Sequence, residues 1–332
     1  MQQSSLLQNQ GWEVVEKLPQ DGTLRTYQRI KKGDMNALYM DCGPTHGVPL
    51  VTRASDFVPI AEWLRSIGLR APEVYEVDYT NNAAIVEDFG KMSLKQAIAN
   101  GEDAMALYKT TGEILQVIQN AKCPLKLPQF STSFMRKARQ RFIDWYVPVL
   151  RQAKNPAGLV QSYHAMWDEI EKSIGPYNQC FMHVDFHVEN LMFIPGETGL
   201  NSIGIIDFQE AMFGPESYDL VNLLEDMRAD VPLDIQKELL KGKDEAFLAW
   251  YRILGTQFHC RLLGQLMRWA FVEDKVQYFQ FYPRLIAYVE RALHDPILKP
   301  FKEWLEKENI ELVDASKLDW KACRQFIAED AV

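Results

Sequence analysis

The chain has 332 residues, room at about 150 per domain for two domains or one domain of two lobes, and its 47% hydrophobic and 24% charged residues exclude disorder and fibrous repeats. Thirty-six Lys and Arg against 45 Asp and Glu leave a formal net charge of −9, so no global basic field exists to hold nucleic acid or an anionic membrane. Cys42, Cys123, Cys180, Cys260 and Cys323 are an odd number with no C-x-x-C pairing, residues 1–10 are polar, and no apolar run reaches the roughly 18 to 20 residues of a membrane span. The expectation is a cytoplasmic protein of undetermined oligomeric state, without nucleic-acid or membrane partners.

The first ninety residues are strand-rich. Residues 24–30 and 37–41 read as strands, and 74–79 and 83–87 flank Asn81-Asn82, a hairpin-turn signal. Between them Phe57, Ile60, Ala61, Leu64 and Ile67 recur at helical spacing, with Ser55 as the expected N-cap and Gly68 as the stop. After Asp88-Phe89-Gly90 the texture changes to amphipathic helices starting near Ser93 and Glu102, then at about 132–152 and 159–174. One strand-like island interrupts them, residues 180–206, in which 191–194 and 202–206 are short strands. Everything beyond Ser217 reads helical, with no internal repeat.

The island carries the chemistry. Asp185 and Asn190 stand five residues apart on a loop, and Asp207 ends the returning strand, so two carboxylates and an amide can be turned toward one point. That hard-oxygen set suits Mg²⁺ with phosphate oxygens and water, not zinc. A carboxylate left over from the metal, Asp185, is then available to orient an acceptor hydroxyl for phosphoryl transfer. Singly, each residue also reads as a loop or turn cap. Jointly, the spacing and the flanking β-runs favour a site.

His183-x-Asp185-x-x-x-x-Asn190, followed by Ile205-Ile206-Asp207-Phe208 and Tyr218-Asp219-Leu220, resembles the aminoglycoside phosphotransferase/choline kinase branch of the protein-kinase-like fold. Asp207-Phe208-Gln209 and the run to Leu220 resemble most the anomeric amino-sugar kinases that phosphorylate N-acetylmuramate and N-acetylglucosamine in cell-wall recycling. The resemblance implies an α+β, two-lobe fold: a small antiparallel sheet lobe (1–90, linker at 87–90) that binds ATP, and a large, mainly helical lobe (91–332) with the catalytic loop and acceptor site. It implies Asp185 as the catalytic, acceptor-orienting carboxylate, and Asn190 and Asp207 as Mg²⁺ ligands against the nucleotide phosphates. His183 becomes a buried support of the loop and Asp219 its anchor. His187 and Glu189, on the open side, are candidates for touching the acceptor, with solvent-facing filler as the alternative. Glu87-Asp88-Phe89-Gly90 resembles the linker whose backbone pairs with adenine, although a hairpin end and a turn account for the same letters.

The pattern also breaks. The strand 37–41 has no lysine to clamp the phosphates, Glu62 on the next helix therefore reads as a surface residue, and the Gly-rich loop is reduced to Gln20-Asp21-Gly22-Thr23-Leu24. Arg25 and Arg29, at period two with Tyr27, share a face and are candidates to hold the triphosphate instead; the alternative is a solvent-facing row on an edge strand. Arg136, Lys137, Arg139 and Arg141 make a small basic cluster, read either as a receiver for an acidic substrate or as a solvated helix face. Trp145-Tyr146, Trp250-Tyr251 and Trp269 are sugar-stacking candidates or core. The rival functions are an aminoglycoside, choline-like or other alcohol phosphotransferase, and a catalytically silent nucleotide-binding scaffold.

Overall fold

A computed structural model describes residues 5–8, 11–19, 25–44 and 53–328. The reduced loop from Gln20 to Leu24 lies outside the described residues. Two compact units share the chain: Met1–Pro128 with Cys180–Met212, and Gln129–Gln179 with Phe213–Val332. The strand-rich start, the helices that follow Gly90 and the 180–206 island therefore belong to one unit.

In the first unit, the short helix α1 (Ser5–Gln8) precedes β1 (Glu13–Lys17), β2 (Thr26–Lys32) and β3 (Met35–Asp41); α2 (Ala54–Ser66) then leads to β4 (Val74–Asp78) and β5 (Ala83–Glu87). The five strands form an antiparallel sheet in the order β1-β2-β3-β5-β4. Directly opposed residues share a face. Ile30, Ala37, Tyr39, Ala83 and Ile85 make one buried face with Leu6, Leu7 and Trp12. The other face carries Arg29 opposite Leu38, Leu38 opposite Val86, and Tyr27 opposite Met40. Three expectations are corrected here. The sheet has an additional strand, β1, whose mostly exposed residues give no alternation to read. Consequently β2 is an interior strand, and Arg25, 7% exposed, is no solvent-facing edge residue. Ser55 does not cap α2; the Ala54 N–H donates instead to Asn82 Oδ1 at 2.8 Å. The hairpin turn closes around Asp78, whose Oδ1 accepts from the N–H groups of Thr80 and Asn81, with Asn82 left-handed at φ 53°.

The same unit continues through α3 (Leu94–Ala99), where Ser93 and Gln96 form a full capping box, and α4 (Ala104–Asn120), capped by Asp103. After β6 (Gln179–Met182), β7 (Leu191–Phe193) and β8 (Ile203–Ile205) pair antiparallel, so the residues that follow β6 and those that follow β8 emerge side by side. Phe57 of α2 stacks on Phe208 at 4.8 Å and Trp63 packs on Phe181, fixing the helix to this segment.

The second unit is almost wholly helical. α5 (Thr132–Arg141) passes through a π-turn (Phe142–Tyr146) into α6 (Val147–Arg151), where a single helix was expected. α7 (Leu159–Ile174), the short strand β9 (Met212–Pro215), α8 (Tyr218–Leu224), α9 (Leu233–Leu240), α10 (Glu245–Glu273), α11 (Tyr282–Ala292) and α12 (Lys299–Lys307) follow. Trp145, Tyr146, Trp250 and Tyr251 are buried and belong to the core, whereas Trp269 is only partly buried and packs on Tyr278 at 4.7 Å. Among the described residues no helix is long and apolar enough to cross a membrane, and the five cysteines form no disulfide.

Candidate active site

The loop between β6 and β7 is closed by its own atoms. The Asp185 carbonyl accepts from the His187 N–H (3.0 Å) and from Asn190 Nδ2 (3.0 Å), and the His187 carbonyl accepts from the Asn190 N–H (2.9 Å). Asn190 Nδ2 also faces Asp207 Oδ2 at 3.5 Å, which ties the loop to the end of β8. From beneath, His183, fully buried, bonds through Nε2 to the carbonyl of Ile206, the residue before Asp207, at 2.9 Å. With that carbonyl as acceptor, Nε2 carries the proton. Val184 holds φ 81°, a left-handed conformation that costs a β-branched residue about 1–3 kcal/mol, directly before Asp185. No hydrogen bond from the described residues reaches the Asp185 carboxylate. His187 is not on the open side of the loop. Its ring is 7% exposed because Nδ1 turns in to accept from the Glu189 N–H. Glu189 does face out, paired with Lys95 at 2.8 Å. Asp219 belongs to the second unit, buried in the first turn of α8.

Asp207 is the electrostatic centre. Burial pushes its pKa up, but the Arg25 guanidinium beside it and the Gln209 amide, 2.8 Å from Oδ1, prevail and hold the carboxyl below its ordinary range. Arg25 bonds Asp207 through Nη2, while its Nε and Nη1 are buried with no partner among the described residues. Nearby Glu210 is pushed the other way, by burial and by the negative charges of Asp185 and Asp207. Among the described residues no group of three or more His, Cys, Asp and Glu is placed to hold a metal ion. The donor set at hand is instead a carboxylate and an amide of which, among the described residues, only the nitrogen is engaged. Asp207 and the Asn190 oxygen fit a hard cation completed by phosphate and water.

A cavity of about 290 Å³ opens beside this centre. Its polar end is Arg25, Asn190 and Asp207, and its walls include Tyr27, Leu38, Phe57, Val86, Met192 and Ile206. Leu38 stands on the strand where a lysine was missed, so the cation comes from the neighbouring strand. At the far end lies the 87–90 segment, held by contacts that sequence reasoning missed. Arg29 donates Nε to Asp88 Oδ2 (2.7 Å), Nη2 to the Gly90 carbonyl (2.7 Å) and Nη1 to Glu16 (3.1 Å), so all three guanidinium nitrogens are engaged. The Glu87 carboxylate is taken by Arg70 (2.5 Å) and the Glu73 N–H (3.2 Å). Phe89 lies over Gly204 so closely that a Cβ there would come within 2.5 Å of its ring, and the Arg70 guanidinium covers it at 5.6 Å. No hydrogen bond from the described residues reaches the Phe89 peptide group. Only the small residue inside β8 and the acidic residue beside Glu87 were available as signals for this clamp.

The phosphotransferase enzyme family (APH) model matches residues 14–255, and the chain belongs to that family. Its relatives include an N-acetylmuramate/N-acetylglucosamine kinase of Caulobacter vibrioides, 28% identical with 88% of this chain and 91% of that protein covered. A kinase of the same description from Pseudomonas aeruginosa is 24% identical, with 86% of each chain covered. In fold, the chain is similar to a choline/ethanolamine kinase family protein from Mesorhizobium loti, with TM-score 0.57, 15% identity, and 97% and 96% of the two chains covered. The fold is the kinase-like one, a small antiparallel sheet joined to a large helical part.

Proposed function

We propose that the chain is an ATP-dependent small-molecule kinase that transfers the γ-phosphate to a hydroxyl of an amino sugar of the N-acetylmuramate/N-acetylglucosamine type, in the cytoplasm and in cell-wall recycling. The observation that carries this reading is the Arg25–Asp207 pair lining the cavity, with two guanidinium nitrogens that have no partner among the described residues and the Asn190 amide on the same carboxylate. A buried donor without an acceptor is costly, and a triphosphate oxygen supplies the acceptor. The acceptor class rests on the relatives.

In this reading residues 1–90 bind the nucleotide, with 87–90 as linker, and residues 91–332 carry the catalytic loop and the acceptor site. The base lies against the apolar walls, and the backbone of the linker from Glu87 to Phe89, with the free Phe89 peptide group, is its polar contact. Asn190 and Asp207 hold Mg²⁺, which when bound neutralises charge on the phosphates. Arg25 grips the triphosphate as the cation that β3 lacks, whereas Arg29 fixes the linker and touches no phosphate. The Asp185 carboxylate, without a hydrogen-bond partner among the described residues and presented by a strained turn, orients the acceptor hydroxyl and accepts its proton. His183 holds the backbone under Asp207 in place.

Incubation with ATP, Mg²⁺ and a panel of amino sugars, aminoglycosides and choline-like alcohols, read by mass spectrometry, tests the reading. A phosphate adduct on the amino sugars is expected. An adduct confined to the cationic acceptors, or none despite ATP binding, would replace it with one of its rivals. Asp185→Ala should lower kcat by about a thousandfold or more while nucleotide affinity persists.

A further inference from the structure

The backbone at Asp207 is fixed from both sides. Asp207 is left-handed at φ 63°, a conformation that aspartate tolerates better than most residues. The Ile206 N–H donates to the Asn190 carbonyl at 3.1 Å, and the Ile206 carbonyl accepts from His183 Nε2 at 2.9 Å. On the other side Phe208, fully buried, stacks on Phe57 at 4.8 Å. The main chain is thereby held, but the carboxylate still turns about its own side-chain bonds. Which oxygen it offers to the cavity depends on what the side chain meets.

Two donors meet Oδ1. Arg25 reaches it through Nη2, and Gln209 comes back from two positions further along to place Nε2 at 2.8 Å. Oδ2 faces only the Asn190 Nδ2, at the long distance of 3.5 Å. Because a carboxylate accepts and never donates, Gln209 must turn its nitrogen toward Asp207. Its Oε1 then faces away, buried and with no partner among the described residues. A buried amide oxygen without a donor costs stability, and an apolar side chain of similar size would avoid that cost. Gln209 is therefore a poor choice for stability and a good one for holding the carboxylate, the usual trade at a working site. Arg25 alone does not suffice for this, because its other nitrogens are the ones offered to the triphosphate, and a guanidinium drawn toward phosphate loosens its hold on Oδ1. The neutral, anchored amide does not move with the ligand.

We propose that Gln209 is a positioning residue for the cation: by engaging Oδ1, it keeps Oδ2 of Asp207, next to the Asn190 amide, turned out for Mg²⁺. All of these residues belong to the first unit. The inference rests on the kinase reading above, which gives Asp207 that cation.

The test compares the full-length protein with Gln209→Met and Gln209→Leu, which remove the donor and nearly keep the volume. Three quantities are read: the affinity of Mg²⁺ for the ADP-bound protein by calorimetry, the Mg²⁺ concentration that half-saturates sugar phosphorylation, and the melting temperature. Mg²⁺ affinity should fall about tenfold, with the half-saturating concentration raised by the same factor and kcat largely restored by excess Mg²⁺. The melting temperature should be unchanged or higher, which a purely structural glutamine does not allow. Wild-type Mg²⁺ affinity in both variants, with the sugars still phosphorylated, would overturn the role of Gln209 and leave the kinase reading standing. A lowered melting temperature with a loss of activity that excess Mg²⁺ fails to restore would overturn it as well. If the unaltered protein phosphorylates no sugar, a Mg²⁺ affinity that weakens in the variants would uphold Gln209 while the kinase reading falls. No Mg²⁺ binding to the unaltered, ADP-bound protein would overturn both. Should one variant not fold, the other supplies the same comparison.

Discussion

Arg25, just before β2, and Arg29, at the middle of that strand, are the same side chain put to different uses. Arg29 spends every guanidinium nitrogen on Asp88, Gly90 and Glu16, whereas Arg25 gives one nitrogen to Asp207 and buries two that have no partner among the described residues. A saturated arginine is a structural tie. An unsaturated buried one is a binding group waiting for an acceptor, because an orphaned donor retains its desolvation penalty until a ligand satisfies it.

Removing Arg25 should have the largest effect in this pair. Arg25→Met is expected to lower kcat/KM for ATP by about a hundredfold or more, with Arg25→Lys recovering part of it; steady-state kinetics at saturating acceptor measures this, and wild-type kinetics in Arg25→Met would dissolve the contrast. Arg29→Met removes charge-assisted bonds to the linker. It should destabilise the fold by about 1–3 kcal/mol in urea titrations and raise KM for ATP severalfold, with kcat nearly constant. A kcat loss equal to that of Arg25→Met would show that both arginines do the same work.

Gly204→Ala probes the linker from below. The added methyl meets the Phe89 ring, so about 1–3 kcal/mol of stability and a weaker grip on the nucleotide base are expected, checked by thermal melting and by nucleotide titration. The smallest effect concerns acid. The Asp207 carboxyl sits below its ordinary pKa when folded, so its contribution is present above its unfolded value of about 4 and is lost as pH falls through the lower folded value. The stability difference between wild type and Arg25→Met should therefore shrink below about pH 4. A difference constant from pH 6 to pH 3 would mean that the pair is not what Arg25 contributes.

Local signals were readable where the interactions are local. The helix start at Ser93, the hairpin around Asn82 and the Asp185–Asn190 loop all close within a few residues, so local sequence was enough to expect them. Ser55 failed as a cap since Asn82, 27 positions away, reached the helix start first. β1 gave no periodicity because it buries almost nothing. His187 looked outward in a linear reading and turned inward because a ring nitrogen found the Glu189 N–H.

Composition and loop spacing marked residues 185, 190 and 207 as candidates for phosphoryl-transfer chemistry, since a short loop leaves its side chains few directions, and the resemblance carried by the motif from His183 to Asp207 supplied the fold class and the family. Which arginine is spent and which is held open was decided only by tertiary structure. Arg25 meets a carboxylate 182 positions away, Arg29 one 59 away, and Arg141 meets none among the described residues. Charge is written in the sequence, but its saturation depends on which distant partners the folded backbone brings within hydrogen-bonding reach.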